Sequence, residues 1–200
     1  MPWTNGPLVL YHGCDHLSAA SIMTPVFPNQ HSIHLAQSRA LTDFGRGFYT
    51  TTSLQQARNW ANSRCRRRLR TPSPWLAIVL SFSVDRNQLA ALQTLCFVTE
   101  SSNTDYWDLV SHCRGGGTHL LIGQDNYDVV FGPVSLWPQR LVIKDCDQIS
   151  FHTSRGLSIL PTPGLWHKAH RASPSCSRSY TCLQSTTSVI IMIPSGIGTS

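Results

Sequence analysis

The stretch that decides the fold is Asp43-Phe44-Gly45-Arg46-Gly47-Phe48-Tyr49-Thr50-Thr51. Two glycines flank Arg46, and the aromatic and β-branched residues that follow predict a short strand. An earlier motif, Leu10-Tyr11-His12-Gly13, ends an apolar run that also predicts a strand. The two motifs together predict that a His-Gly pair lies near a strand framed by glycine and carrying aromatic side chains.

These two motifs suit a pocket that holds a flat, polar amide between aromatic rings. Histidine and tyrosine supply hydrogen bonds and a ring face, and glycine lets a ligand approach the backbone closely. Nicotinamide is such an amide, so NAD is the first ligand to consider.

Composition and charge narrow the class of protein. The chain has 200 residues, of which 41% are hydrophobic, which suits one domain with a true core. Charged residues make up only 13%, yet the formal net charge is +6. That basic balance is compatible with nucleic acid, an anionic membrane or a phosphate-bearing ligand, and it selects none of them.

Targeting and metal signals are not evident in the sequence. We find no secretory signal and no apolar run long enough to span a membrane, so an intracellular location, cytoplasmic or nuclear, is expected. The seven cysteines are irregularly spaced and are expected to be reduced. No pair or set of His and Cys has zinc spacing, so no metal site is expected.

Periodicity along the chain predicts the α+β class, with many short strands and scattered helices. Strands are expected at 7–11, 47–51, 75–84, 96–98, 127–134, 140–143 and 148–152. Helices are expected at 15–24, 53–70, 87–93 and 104–113, with Asp15 and Ser53 as N-caps. Residues 1–160 are expected to form the domain, and residues 161–200, rich in Ser, Thr and Pro, a disordered tail.

Five ordered segments between residues 8 and 160 resemble the ADP-ribosyltransferase superfamily, and most closely a domain family of unknown function within it. They are Leu-Tyr-His-Gly at 10–13, Asp-Phe-Gly-Arg-Gly-Phe-Tyr-Thr-Thr at 43–51, Gln-Ala-Arg-Asn-Trp-Ala at 56–61, Tyr-Asp-Val-Val-Phe-Gly-Pro-Val at 127–134 and Asp-Gln-Ile-Ser-Phe-His-Thr at 147–153. The resemblance is to the branch of poly(ADP-ribose) polymerases and diphtheria toxin. It implies a split β-sandwich of short, mostly antiparallel strands with flanking helices, in which NAD is cleaved.

The resemblance also implies roles for particular residues. His12 would hold ribose hydroxyls, and the backbone of Gly13 would pair with the nicotinamide amide. Tyr49 would cover one face of the nicotinamide ring, and Trp60 the other. Ala57 stands where the relatives often place a small hydroxyl residue, so one amide contact is expected to be lost or replaced.

Gln148 departs from the branch, whose catalytic glutamate matches this position. A neutral amide can bond a ribose 2′-hydroxyl, but it cannot supply the negative charge that stabilises an oxocarbenium-like transition state. Strand alternation is expected to turn the neighbouring Asp147 to the opposite face. If the charge alone is missing, Gln148→Glu should raise turnover.

Simpler interpretations of the same residues stay open at this point. His12, Tyr49 and Trp60 can be core residues, and Gln148 can be a surface residue that begins a strand. A basic run can contact nucleic acid, or it can be a solvated helix end whose cations suit the helix dipole. Its members are Arg64, Arg66, Arg67, Arg68 and Arg70.

Three functions therefore compete. The first is an NAD-cleaving enzyme, either a transferase or a glycohydrolase, whose acceptor is a protein, a nucleic acid, a small molecule or water. The second is an inactive module that binds NAD or ADP-ribose. The third is a basic protein associated with nucleic acid.

Overall fold

The computed structural model describes residues 5–26, 31–67, 75–98, 104–119 and 127–168, and it confirms the α+β class. The strands are β1 (Leu8–Asp15), β2 (Phe48–Thr50), β3 (Ala77–Val84), β4 (Thr94–Cys96), β5 (Val129–Leu136), β6 (Leu141–Phe151) and β7 (Gly164–Lys168). The helices are α1 (His16–Met23), α2 (Leu54–Arg66), α3 (Arg86–Ala90), α4 (Thr104–Arg114) and α5 (Ser154–Ser158), with a 3-10 turn at Leu35–Gln37. In this part of the chain, no helix is long and apolar enough to cross a membrane.

The strands form two sheets that meet at one edge. The first sheet has the order β1-β3-β7, and the second has the order β2-β6-β5-β4. All neighbouring strands are antiparallel except β4 and β5, which are parallel. Two backbone hydrogen bonds join the sheets. The Tyr11 amide donates to the Thr51 carbonyl at 2.8 Å, and the Thr51 amide donates to the Tyr11 carbonyl at 2.9 Å.

Apolar side chains on facing sides of the two sheets form the main core. Leu10 and Phe82 from the first sheet pack with Ile149 and Phe151 from the second, and all four are buried. A second cluster lies between α4 and the other face of the second sheet, and it includes Phe44. Residues 43–51, called the Phe44 motif below, are thereby anchored through Phe44 on one side of the second sheet, while Phe48 contributes to the main core.

Helix caps follow the sequence, because the Asp15 carboxylate accepts from the Ser18 amide and the Ser53 hydroxyl accepts from the Gln56 amide. Two strand predictions need correction. Residues 140–143 and 148–152 belong to one strand, β6, whose pairing with β5 shifts register between Pro133 and Val134. Asp145, with a φ of 56°, lies in the extra length that this irregularity absorbs.

The boundary predicted at residue 160 is also too early. Residues 164–168 form β7 and pair with β3, the central strand of the first sheet. The sequence does not indicate this strand, because it is short and lies in a stretch without sustained alternation of apolar and polar residues. The rest of the predicted tail, residues 169–200, lies outside the described residues.

Gly13 brings β1 and α2 into backbone contact. A Cβ built on Gly13 would lie 2.1 Å from the Ala57 carbonyl oxygen and 3.0 Å from the Ala61 nitrogen. No side chain fits there, so α2 packs directly on the strand. The glycine is therefore required by helix packing, and not only by the ligand approach considered from the sequence.

We expect Gly13→Ala to lower the free energy of unfolding by about 2–4 kcal/mol, because α2 must move away from β1. Gly6→Ala is the control, since a Cβ there meets nothing within 4 Å. Chemical denaturation of both variants measures the difference. Equal stability of the two variants would refute the close packing.

Candidate functional site

A single cleft brings together the residues singled out from the sequence. This inner cleft has a volume of about 60 Å³ and lies where β1, β2, α2 and β6 meet. Its lining residues are Tyr11, His12, Gly13, Tyr49, Thr50, Thr51, Gln56, Ala57, Trp60 and Gln148. A larger outer cleft of about 500 Å³ shares His12, Tyr49 and Trp60 with it, so the two clefts form one groove.

His12 is held as one neutral tautomer. Its Nδ1 lies 2.7 Å from the Tyr49 carbonyl oxygen, which can only accept, so Nδ1 carries the proton. Burial lowers the pKa of His12 to about 4, which keeps the ring neutral at physiological pH. The ring also packs on Phe48, with centroids 4.5 Å apart. Nε2 is therefore an acceptor, ready for a hydroxyl group of a ligand.

The backbone of Gly13 faces an unpaired strand edge. Tyr11 turns its N–H and C=O toward Thr51, which directly follows β2, and alternation turns those of Gly13 the same way. β2 ends at Thr50, and among the described strands β1 pairs otherwise only with β3. Gly13 thus presents one donor and one acceptor to the inner cleft, the pattern that a primary amide matches.

Tyr49 forms a fixed aromatic wall. Its hydroxyl donates to the Gly45 carbonyl at 2.8 Å and accepts from the Phe44 amide at 3.1 Å. Burial raises the pKa of this hydroxyl far above its usual range, so it does not serve as an acid or base near neutral pH. Tyr49 is half-buried, lines both clefts and packs in part against the second hydrophobic cluster.

Trp60 lies on α2 and also lines both clefts. Its ring is half-buried and belongs to none of the three buried hydrophobic clusters of the described residues. The Arg67 guanidinium lies 5.7 Å from its ring centroid. The interpretation of Trp60 as a core residue is therefore not supported. Ala57, one turn earlier, is buried against Gly13 and supplies no side-chain hydroxyl.

Gln148 is not a surface residue, because only 1% of it is exposed. Its Nε2 donates to the Asp43 carboxylate and to the Pro133 carbonyl, both at 2.8 Å. Both partners are acceptors, so the amide nitrogen must face them and the orientation of the amide is fixed. The amide nitrogen of Gln148 is thus committed to two protein acceptors.

Asp43 is the important residue that the sequence analysis missed. Its buried carboxylate accepts from the Arg114 guanidinium at 2.6 Å, and from the Ser135 amide and hydroxyl at 2.8 and 2.5 Å. With Gln148 it forms a buried polar cluster, which links the Phe44 motif, α4, β5 and β6. The positive charge of Arg114 balances the negative charge of Asp43, so the cluster is neutral as a whole.

Asp147 lies apart from that cluster, as alternation predicts. Its carboxylate accepts from the Thr52 amide at 3.0 Å and from the hydroxyls of Thr51 and Thr52. Gln56 brackets its backbone, because its amide nitrogen donates to the Asp147 carbonyl and its oxygen accepts from the Asp147 amide. These bonds fasten the end of β2 and the start of α2 to β6.

The basic run divides into residues with different environments. Arg64 forms an ion pair with Asp15 at 2.9 Å and lines the outer cleft. Arg66 and Arg67 are exposed at the end of α2. Arg68 and Arg70 lie outside the described residues. At least one member of the run therefore belongs to the groove.

A second buried histidine, His152, supports the loop around Gly47. Its Nδ1 lies 2.8 Å from the Arg46 carbonyl, and its Nε2 lies 2.7 Å from the Ser150 hydroxyl. Burial lowers the pKa of His152 to about 3. A Cβ at Gly47 would lie 2.6 Å from this ring, so glycine gives the ring its space.

Stability should fall in mildly acidic solution. In the folded chain the pKa of His12 is lowered from 6.5 to about 4, and that of His152 from 6.5 to about 3. Below pH 6.5 the unfolded chain therefore binds protons at these two histidines that the folded chain does not bind. The free energy of unfolding is then expected to decline from pH 6.5 toward pH 4. The pKa of Asp15 is lowered from 3.8, so that carboxylate adds its loss only at lower pH.

His152→Gln should flatten this decline, since glutamine does not titrate. Exposed His34→Gln is the matched control and should leave the slope unchanged. Thermal unfolding at half-unit pH steps measures all three proteins. Equal slopes in wild type and His152→Gln would contradict the assignment.

The hydrogen bond between Gln148 and Asp43 leads to a prediction about Gln148, the residue that departs from the resembled branch. Gln148→Glu would place a second carboxylate beside Asp43 and a carbonyl oxygen, both of which repel it. We expect a loss of about 2–4 kcal/mol at pH 7.5, which becomes smaller as the new carboxyl protonates near pH 5. Gln88→Glu, at an exposed position of α3, should change stability by less than about 0.5 kcal/mol.

Urea unfolding of both variants at the two pH values tests this expectation. Undiminished stability of Gln148→Glu at pH 7.5 would mean that the amide is not held by Asp43.

Comparison with known proteins gives one match. Residues 8–136 match the family model described as Protein of unknown function (DUF3990). That range includes His12, Gly13, Tyr49 and Trp60, and it ends before Gln148. No curated protein matches the chain, and no solved structure does.

Proposed function

We propose that this chain, which belongs to the DUF3990 family of proteins of unknown function, is an NAD-dependent ADP-ribosyltransferase-like protein with a split β-sandwich fold. It would cleave the nicotinamide–ribose bond in the groove and pass ADP-ribose to an acceptor. The observation that carries this proposal is the juxtaposition of neutral His12 with the outward-facing backbone of Gly13, beside the rings of Tyr49 and Trp60.

Each part of that arrangement suits one part of the substrate. The N–H and C=O of Gly13 match the carbonyl and amine of the carboxamide. The rings of Tyr49 and Trp60 offer apolar faces for the nicotinamide ring. His12 Nε2 accepts from a hydroxyl of the adjoining ribose, and its Nδ1–H bond to Tyr49 keeps that lone pair in place. These contacts fix the direction in which the bond to the ribose points.

The reaction itself requires little covalent chemistry from the protein. The carbon–nitrogen bond breaks with its electron pair on nicotinamide, which leaves neutral, and the ribose carbon becomes electron-deficient. A lone pair of the acceptor then forms the new bond, and the acceptor's proton passes to solvent. Gln148, which lines the inner cleft and whose nitrogen donates to Asp43, occupies the position for which the resemblance implies contact with the 2′-hydroxyl.

A second function is favoured by one specific observation. Gln148 is neutral, and the Asp43 charge behind it is matched by Arg114. The stabilisation that a carboxylate gives to a positive transition state is commonly worth several kcal/mol, and it is missing here. The alternative is therefore a module that binds NAD or ADP-ribose without cleaving it.

Nicotinamide release from NAD, measured by chromatography, and NAD binding, measured by calorimetry, together separate the two functions. We expect wild type to bind NAD and to release nicotinamide. His12→Ala should lower release at least about tenfold, because it removes a hydrogen bond to the ribose. His16→Gln, at a half-buried position on α1, is the matched control and should match wild type.

Binding without release would establish the inactive module. Wild-type protein that neither binds NAD nor releases nicotinamide would refute both functions. Release that is equal in His12→Ala and wild type would remove His12 from the site while leaving the enzyme in place.

A further inference from the structure

Arg64 follows Trp60 on the same face of α2. Four residues separate them, which corresponds to about 6 Å of rise along a helix. Trp60 lines both clefts, whereas Arg64 lines only the outer one. The Trp60 and Arg64 side chains therefore leave α2 about one turn apart and line the outer cleft together.

The position of Arg64 is fixed by a buried carboxylate. Its Nε donates to Asp15 at 2.9 Å, and its Nη2 lies 3.4 Å from the Ser18 hydroxyl. Asp15 is itself held, because it accepts from the amide and hydroxyl of Ser18 at 2.9 and 3.0 Å. The arginine thus loses little conformational freedom when its remaining N–H groups bind a ligand.

The outer cleft is suited to an anion. Its described lining residues include Arg64 and Arg39 but no aspartate or glutamate. Serine hydroxyls from α1 and from the segment before the 3-10 turn also line the cleft; they are Ser21 and Ser32. Arginine presents several N–H groups in one plane, which suits the oxygens of a phosphate ester.

We propose that Arg64, oriented by Asp15, binds the diphosphate of a dinucleotide whose nicotinamide end occupies the inner cleft. This inference rests on the proposed NAD-binding function and assigns the phosphates of that ligand to the outer cleft. Asp15 is a positioning residue in this arrangement, and Arg64 is the residue that touches the ligand.

Calorimetry with four ligands tests the assignment: NAD, ADP-ribose, nicotinamide mononucleotide and nicotinamide riboside. Arg64→Gln should lower the affinity for the three phosphate-bearing ligands about ten- to a hundredfold, because charge-assisted hydrogen bonds to the phosphates are lost. It should leave nicotinamide riboside, which has no phosphate, unchanged. Arg86→Gln is the matched control, because it removes the same charge from an exposed position on α3.

Arg64→Gln leaves the buried carboxylate of Asp15 without its cation, which could destabilise the fold. A second variant therefore separates a loss of stability from a loss of ligand contact. The double variant Asp15→Asn with Arg64→Gln removes both charges and keeps an oxygen to cap α1. It should fold and should show the same selective loss. In wild type, inorganic pyrophosphate should compete with ADP-ribose but not with nicotinamide riboside.

The outcomes separate this inference from the function on which it rests. NAD binding that is equal in wild type and both Arg64 variants would overturn the diphosphate assignment and leave the proposed function intact. An equal loss of affinity for nicotinamide riboside and for NAD would also overturn the diphosphate assignment, because the arginine would then act through the shape of the site. No binding of any of the four ligands to wild type would refute the proposed function itself.

Discussion

The close approach of α2 to β1 sets the geometry of the groove. Only a glycine at position 13 lets the Ala57 carbonyl lie where a Cβ would otherwise be, so the helix rests on the strand backbone. Once that contact exists, Trp60 and Arg64 follow on the helix at intervals of about one turn and line the groove in order. The same strand carries His12 and turns the Gly13 backbone toward the cleft. One packing constraint therefore positions both a ring and a cation relative to one strand edge.

A second constraint is the burial of Asp43. A carboxylate away from water is stable only when it is paired and hydrogen-bonded, and Arg114, Ser135 and Gln148 meet that need. Satisfying it draws the Phe44 motif, α4, β5 and β6 together, which holds the amide of Gln148 in one orientation. The orientation of the Gln148 amide is thus fixed by the hydrogen bonds that a buried charge requires. A glutamate could not make the same bonds.

The sequence predicts local features well because local chemistry determines them. Asp15 and Ser53 cap helices in the structure as their residue types suggest, and the apolar run before Asp85 forms β3. Features that depend on distant partners were missed. The Asp43 cluster needs Arg114, 71 residues away, and β7 is a strand only because β3 offers it an edge. The residues of the inner cleft were found through a family resemblance, whereas periodicity alone gives no reason to group a strand residue with a helix residue.

The distribution of charge along the groove bears on how a neutral site could still promote cleavage. The nicotinamide ring of NAD is positively charged and becomes neutral when it leaves. The inner cleft offers it aromatic faces, a neutral histidine and a neutral amide, and the Arg67 guanidinium lies 5.7 Å from the Trp60 centroid. If NAD binds as proposed, the exclusion of water and the Arg67 charge would favour the neutral product, whereas the faces of the aromatic rings would attract the cationic substrate. Part of the affinity for the intact dinucleotide would then come from its phosphates in the outer cleft, which Arg64 and Arg39 line. Binding energy from this distant part of the ligand would hold the nicotinamide ring in place while its bond to the ribose breaks.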